Sequence, residues 1–209
     1  AVAAWRTVRE HERGADTPAA LADALGLPVF VKPANMGSSI GVSKASTLDE
    51  LDAALDEAFR YDEVVVVEES VRGREIEVAV LGNDDAPRAS VPGEIVPSHD
   101  FYDYEDKYLV DGAQLLIPAP LDDDTTAQVR DLAVRAFRAL RCSGMASSDF
   151  FHEPDGRGFL VNEVNTIPGF TPISMYPKLW QATGIGYREL IDELVRLALE
   201  RHAKRSRFR

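Results

Sequence analysis

Residues 158–170 read Gly-Phe-Leu-Val-Asn-Glu-Val-Asn-Thr-Ile-Pro-Gly-Phe, and this is the most informative stretch of the chain. Its pattern predicts a β-strand that ends in a Pro-Gly loop. A carboxylate and a carboxamide would project from one face of that strand, where it ends. Because side chains alternate across a strand, we expect one face to carry Phe159, Val161, Glu163 and Asn165, and the other Leu160, Asn162 and Val164.

A second strand is predicted directly upstream, in residues 145–152, and the turn-forming run Pro154-Asp-Gly-Arg-Gly158 separates the two strands. If those five residues form the hairpin loop, Asp149 lies opposite Glu163. Directly opposed Cβ atoms are about 4.5–5.5 Å apart, and like charges placed so are destabilising. We therefore expect a cation between the two carboxylates, and oxygen ligands of this kind suit Mg²⁺ with bound phosphates.

Two considerations leave this interpretation open. An Asp and a Glu across a hairpin can equally point into water or meet an Arg or Lys. In addition, a slip of one residue in the pairing would move Asp149 to the opposite face of the sheet.

The composition excludes several classes of protein. The chain has 209 residues, 45% of them hydrophobic, which suits one large domain or two small ones. A formal net charge of −12 argues against a nucleic-acid or anionic-membrane binder. No apolar run approaches the roughly 20 residues that span a bilayer, and we recognise no signal peptide. A single cysteine, Cys142, excludes an internal disulfide framework and predicts a cytoplasmic protein.

The order of predicted elements indicates an α+β protein with antiparallel strand pairs rather than a regular βαβ series. We expect a boundary near Val71-Arg-Gly73, which divides the chain into residues 1–72 and 73–209. Residues 97–114 show no regular period, and a loop of that length predicts a functional role. Helices are predicted at 17–26, 48–60, 122–140 and 187–201, and further strands at 27–33, 40–44, 63–68, 75–82, 88–96 and 115–119.

A second candidate site begins at Lys32, which lies inside an apolar strand. A lysine there, followed by the small-residue loop 33–39, is typical of a phosphate-binding arrangement. The same pattern also fits a surface lysine on an edge strand before an ordinary turn. Carboxylates near the end of the strand at 63–68 are candidates to hold a ribose, or simply solvated charges: Glu68, Glu69 and Glu75.

Together these segments resemble the D-alanine–D-alanine ligases, members of the ATP-grasp superfamily. The matching text covers nearly the whole chain and is highly specific in combination. It runs through residues 30–44 (Phe-Val-Lys-Pro-Ala-Asn-Met-Gly-Ser-Ser-Ile-Gly-Val-Ser-Lys), 67–80, 92–108 and 162–174. The resemblance implies an ATP-grasp fold, in which two α+β subdomains with mainly antiparallel sheets grip a nucleotide. Residues 1–72 would form the small lid subdomain, and residues 73–209 the C-terminal subdomain.

The resemblance also implies roles in nucleotide binding. Lys32 would contact the ATP phosphates, and the loop at Ser38 and Ser39 would close over them. Glu68 and Glu69 would hold the adenine, and Glu75 the ribose. On the long loop, Lys107 would lie near the γ-phosphate, and Tyr108, with Ser38, would help fix the loop and the substrates.

For catalysis, the resemblance implies that two Mg²⁺ (or Mn²⁺) ions are bound by Asp149, Glu163 and Asn165. The backbone N–H of Gly169 would help form an oxyanion hole, and Ser174 would bind the carboxylate of the second D-alanine. The family reaction makes an acyl phosphate of one D-alanine, which the amine of the second attacks. Lys107-Tyr108 looks like the D-alanine rather than the D-lactate type, and the family implies a homodimer when full length.

Two departures from the family pattern stand out. Ser147 occupies the position of a family arginine two residues before the metal-binding aspartate, and a neutral hydroxyl does not replace a guanidinium. The family's N-terminal domain is also missing from this chain. An ATP- and Mg²⁺-binding relative with reduced or no ligase activity is therefore the alternative to an active ligase.

Overall fold

The computed structural model describes residues 1–96 and 114–208. Within these ranges the chain forms two compact units, residues 1–72 and residues 73–96 with 114–208. Both combine helices with antiparallel sheets, so the α+β class is confirmed. No helix in the described ranges is both long and apolar enough to cross a bilayer.

The first unit is a four-stranded antiparallel sheet with two helices. The strand order is β1-β4-β2-β3. A single 3-10 turn, Glu10–Glu12, follows β1. The strands are β1 (Trp5–Arg9), β2 (Val29–Pro33), β3 (Ser43–Ala45) and β4 (Val64–Glu69), and the helices are α1 (Thr17–Leu25) and α2 (Leu48–Phe59).

Alternation and amphipathicity build the core of this unit. In β2, Val29 and Val31 are fully buried, whereas Phe30 and Lys32 are only partly covered. Helix α2 buries Leu51, Ala54, Leu55 and Ala58, the spacing of one helical face. Its start is fixed by Thr47, whose hydroxyl accepts from the Glu50 N–H at 3.2 Å, while Glu50 accepts from the Ser46 N–H at 2.7 Å.

The second unit is built on a larger antiparallel sheet. Its order is β10-β9-β5-β7-β8, with the short β6 paired to β5 outside this path. The strands are β5 (Arg74–Gly82), β6 (Arg88–Ala89), β7 (Gly93–Val96), β8 (Gln114–Leu116), β9 (Gly144–Glu153) and β10 (Gly158–Asn165). The helices are α3 (Asp123–Ala139), α4 (Met175–Thr183) and α5 (Tyr187–Arg205).

Helices cover both faces of this sheet, and strand β5 is therefore buried along most of its length. On one face, α3 packs Val129, Ala133 and Phe137 against a core that includes Val78. On the other face, α4 and α5 pack against Ala79 and Leu81, in a core that includes Tyr176, Leu179, Trp180, Leu190 and Leu197. The Tyr176 hydroxyl donates to the Val80 carbonyl at 2.9 Å.

Most predicted elements are present, with local differences. The strand predicted over 88–96 is split into β6 and β7, because side-chain hydroxyls replace ladder partners there. Ser90 Oγ accepts from the Ala79 N–H at 3.1 Å, and Thr183 Oγ1 accepts from the Val91 N–H at 2.9 Å. Strand β1 and helix α4 lie in segments for which no element was predicted. The predicted strand 40–44 is shorter, as β3. Leu140, the last residue of the helix predicted over 122–140, lies just beyond α3 and is 63% exposed.

Candidate functional site

Three carboxylates stand in a row across the second unit's sheet. Strand β9 lies between β5 and β10, and Asp149 pairs directly with Glu77 on one side and Glu163 on the other. Direct cross-strand partners project from the same face. The predicted Asp149–Glu163 pairing is therefore present, and a third carboxylate extends it.

A β-bulge creates this pairing. The hairpin pairs Gly158 with Glu153, so its loop has one residue fewer than predicted. If that register continued, Asn162 would lie opposite Asp149. The register shifts between Val161 and Glu163, however, and the one extra residue in β10 brings Glu163 opposite Asp149, as predicted. Bulges of this kind re-aim side chains next to functional sites.

The bulge also changes which residues share a face. Phe159, Val161 and Val164 pack in the core beneath α3. Glu163, the partner of Asp149, projects from the opposite face with Asn165, the partner of Ser147. The prediction that Phe159 and Val161 share a face with Glu163 and Asn165 was therefore wrong, because strict alternation is interrupted at the bulge.

Ser147 joins two of the three carboxylates. Its Oγ lies 2.6 Å from Glu77 Oε1 and 3.2 Å from Asp149 Oδ1. Ser147 and Glu77 are both buried, with 4% and 9% of their surface exposed. A hydroxyl has one proton to donate, and 2.6 Å is the length typical of an O–H···O⁻ bond. Glu77 is thus the first acceptor of the Ser147 proton.

The environment of Asp149 disfavours its charged form. Burial raises the pKa of the Asp149 carboxyl well above its ordinary value, and the negative charges of Glu77 and Glu163 raise it further. The hydrogen bond from Ser147 opposes these effects and lowers the pKa. A cation bound beside Asp149 would stabilise the carboxylate form that this environment penalises.

The predicted third ligand, Asn165, keeps an acceptor position. Its Oδ1 accepts the Ile167 N–H at 3.1 Å, and a carbonyl oxygen has a second lone pair. Two carboxylates and an amide oxygen form the hard oxygen set that Mg²⁺ prefers. Although Glu77, Asp149 and Glu163 are cross-strand neighbours, no three His, Cys, Asp or Glu side chains in the described ranges are grouped so that they could hold a metal ion by themselves.

Gly169 and Ser174 are close together in the loop between β10 and α4. A Cβ at Gly169 would lie 3.1 Å from Ser174 Oγ. Ser174 Oγ accepts the Thr171 N–H at 3.1 Å and lies 2.8 Å from Thr171 Oγ1. Ser174 precedes the first residue of α4, so its hydroxyl and the backbone at Gly169 share one small region.

In the first unit, Lys32 and Glu68 form an ion pair. Lys32 Nζ lies 2.8 Å from Glu68 Oε2, and both side chains are partly buried, with 33% and 23% exposed. The two residues are on neighbouring strands β2 and β4. Two residues predicted to contact the nucleotide, one its phosphates and one its adenine, are therefore in direct contact.

The other predicted nucleotide contacts are distributed as follows. Glu69, at the end of β4, makes two hydrogen bonds with Ala4. Its carboxylate accepts the Ala4 N–H at 2.6 Å, and its backbone N–H donates to the Ala4 carbonyl at 2.9 Å. Ser38 and Ser39 both have left-handed backbones, with φ of 54° and 59°. Glu75 belongs to the second unit and shares the β5 face of Glu77. Lys107 and Tyr108 lie outside the described residues.

The sequence did not predict that Glu77 lies beside Asp149. The alternation of β5 was a usable signal, because residues 75 and 77 must share a face. Its pairing with Asp149, however, depends on strands β5 and β9 being neighbours, and these are separated by more than sixty residues of chain.

Comparisons with known proteins show the family of the chain. A family model described as the D-ala D-ala ligase C-terminus matches residues 1–196. The chain belongs to the D-alanine–D-alanine ligase family. The D-alanine–D-alanine ligase A of Chromobacterium violaceum is 58% identical over 194 residues, which are 92% of this chain and 52% of that protein. The chain spans about half the length of the curated relatives it matches.

Solved structures of D-alanine–D-alanine ligases and their relatives have the same fold. The D-alanine–D-alanine ligase of Coxiella burnetii superposes with a TM-score of 0.86 at 41% identity, over 99% of this chain and 54% of that one. The VanG D-Ala:D-Ser ligase of Enterococcus faecalis has a TM-score of 0.82 at 36% identity, over 94% and 57%. The predicted family and its ATP-grasp fold are thereby confirmed.

Proposed function

We propose that the chain is the ATP-binding and C-terminal part of an ATP-dependent D-alanine–D-alanine ligase that supplies a peptidoglycan precursor. The observation that carries the proposal is the Asp149–Glu163 pair, in a chain 58% identical to a D-alanine–D-alanine ligase. That identity favours an active ligase over the alternative of a relative that only binds nucleotide. ATP consumption and a single cysteine also favour the cytoplasm, and we infer a homodimer for the whole protein.

Asp149, Glu163 and Asn165 would hold the two Mg²⁺ ions, which supply charge neutralisation for the phosphates when bound. The bulge supports this assignment, because it directs Glu163 to the Asp149 face. Asn165 retains a lone pair for a cation while its other lone pair accepts the Ile167 N–H. Mn²⁺ would satisfy the same oxygen donors.

The remaining residues would bind the nucleotide and the amino acids. Lys32 would contact ATP phosphates, so its ammonium group would have to interact with both the phosphates and Glu68. Ser38 and Ser39 would cover the phosphates, Glu68 and Glu69 would hold the adenine, and Glu75 the ribose. The Glu69 N–H donates to the Ala4 carbonyl, so the backbone contact of Glu69 with the adenine would be made by the Glu69 carbonyl oxygen. Lys107 and Tyr108 would contribute from the long loop.

The chemistry joins two D-alanines in two steps. The carboxylate of the first attacks the γ-phosphorus of ATP, so that an acyl phosphate and ADP form. The amine of the second D-alanine attacks the acyl carbon, and phosphate leaves as the dipeptide forms. The Gly169 N–H would stabilise the oxyanion of this step, and Ser174 would hold the carboxylate of the second D-alanine.

The test is a product assay on the protein that carries this chain, with ATP, Mg²⁺ and D-alanine, D-serine or D-lactate as second substrate. The proposal predicts ADP release together with a D-alanine dipeptide. D-serine is the informative comparison, since one relative is a D-Ala:D-Ser ligase. Nucleotide binding without any product would favour the alternative function.

A further inference from the structure

We propose that Glu77 is a positioning residue for the metal-binding carboxylate of Asp149, and that it acts through the hydroxyl of Ser147. This inference rests on the metal-binding role of Asp149 in the proposed function. Glu77 is a buried carboxylate that is not among the proposed metal ligands Asp149, Glu163 and Asn165.

The sheet places the three residues in one arrangement. Glu77 and Asp149 are direct partners on β5 and β9, and Ser147 precedes Asp149 by two residues on the same strand and face. Central antiparallel strands hold this spacing rigidly, because both neighbours of β9 are hydrogen-bonded to it. The contacts therefore come from regular structure rather than from a loop.

Proton counting gives the direction of the effect. Ser147 has a single hydroxyl proton, and two carboxylate oxygens lie within hydrogen-bond distance, at 2.6 Å for Glu77 and 3.2 Å for Asp149. While Glu77 accepts that proton, the Asp149 oxygen is left with its lone pairs available. Without the Glu77 carboxylate, the hydroxyl would turn to Asp149 and compete with a cation for the same oxygen.

Burial makes the competition effective. Ser147 is 4% exposed and Glu77 is 9% exposed, so water has little access to satisfy the hydroxyl in their place. Hydrogen-bond partners of ligating carboxylates orient the ligands, and their loss typically costs about 10–100-fold in metal affinity. The Glu77 charge also lies next to the proposed cation and would attract it directly.

A double-mutant cycle separates the two contributions. The readout is Mn²⁺ affinity, measured by electron paramagnetic resonance with a saturating non-hydrolysable ATP analogue. We expect Glu77→Leu, which keeps similar bulk but has no acceptor for the Ser147 proton, to weaken Mn²⁺ binding about tenfold or more, by analogy with other partners of metal ligands. In a Ser147→Ala background, with no hydroxyl proton to redirect, the same change should cost only about twofold to threefold.

Two further variants sharpen the test. Glu77→Asp keeps the charge but shortens the side chain, so it should also weaken Mn²⁺ binding if the contact with Ser147 matters. Ser148→Ala is the matched control, because Ser148 is fully buried on the same strand but pairs with Val78 and Val164 instead. It should leave Mn²⁺ affinity unchanged, and melting curves check that each variant folds.

Each outcome decides the inference. Additive effects of Glu77→Leu and Ser147→Ala would overturn the inference, and so would full Mn²⁺ affinity in Glu77→Leu. In either case, Mn²⁺ binding by the parent chain would leave the proposed function intact. A loss of Mn²⁺ affinity in Ser148→Ala equal to that in Glu77→Leu would also overturn it. If the parent chain bound no Mn²⁺, the proposed function would fail, and this inference with it.

Discussion

Asp149 faces Glu163 across the β9–β10 hairpin, and a single extra residue in β10 makes the pairing possible. The same bulge turns Glu163 and Asn165 away from the α3 core, toward the face of Glu77. Three carboxylates are thus adjacent on one face of a sheet. Like charges placed so oppose folding unless a cation is bound.

The metal-free chain should become more stable when this repulsion is reduced. Asp149→Asn removes the central charge and keeps the side-chain shape. Burial and the charges of Glu77 and Glu163 raise the pKa of Asp149, so ionising it at neutral pH destabilises the fold. We expect the melting temperature at pH 7.5 without metal to rise by about 2–4 °C, the shift for roughly 1 kcal/mol in a chain of this size.

The same substitution should abolish metal-dependent nucleotide binding, so stability and binding would change in opposite directions. Asp155→Asn, in the exposed hairpin turn, is the control and should change neither. An unchanged or lower melting temperature for Asp149→Asn would contradict the repulsion that we infer.

His152 should make stability depend on pH. Its ring stacks on Phe159, with centroids 4.2 Å apart, and its Nδ1 is buried without a partner in the described structure. Burial, and then the positive charge of Arg74, lower the pKa of His152 below its ordinary value. The unfolded chain therefore binds this proton at a higher pH than the folded chain does.

It follows that the His152 contribution to stability is present above about pH 6.5 and is lost as the pH falls below it. His152→Phe keeps a ring against Phe159 but cannot titrate. Melting temperatures between pH 8 and pH 5.5 should fall more steeply in the parent than in this variant. Parallel curves would show that His152 does not titrate in this way.

Lys32 should matter for nucleotide binding more than for folding. Partly exposed ion pairs contribute about 0–1 kcal/mol to stability, so breaking the Lys32–Glu68 pair should hardly change the melting temperature. We expect Lys32→Met to weaken binding of an ATP analogue about tenfold or more, since a charge-assisted hydrogen bond is worth about 1.5–3 kcal/mol. Lys204→Met, on the exposed end of α5, controls for the lost charge. Equal affinities in calorimetry would remove Lys32 from the site.

Ser147→Arg should increase turnover in the protein that carries this chain. The guanidinium would enter beside Glu77 and Asp149, which now share one hydroxyl. A donor of this kind is typically worth about 10²–10³ in rate, so D-alanine-dependent ADP release should rise by up to that factor. Ser147→Met adds similar bulk without charge and should give no increase. If Ser147→Arg released ADP no faster than the parent, Ser147 would not limit the reaction.

The sequence was sufficient for much of the fold and for part of the site. Strong periodicity predicted α2, α3 and α5. The Asp149–Glu163 partnership was predicted from a five-residue loop, whereas the structure reaches the same pairing through a loop one residue shorter and a bulge. The bulge could not be predicted, because no residue near Val161 requires it locally. Glu77 was missed because its neighbours come from distant parts of the chain, and the Lys32–Glu68 pair depends on the order β4-β2 in the sheet.

Metal-dependent nucleotide binding by this chain tests the proposed metal ligands most directly. Calorimetric titration with a non-hydrolysable ATP analogue, with and without Mg²⁺, should be repeated for Asp149→Ala and Glu163→Ala, with Asp155→Asn as the control. We predict Mg²⁺-dependent binding that both alanine substitutions abolish and the control retains. Binding that is indifferent to Mg²⁺, or that survives in both alanine variants, would contradict the assignment of these carboxylates as metal ligands.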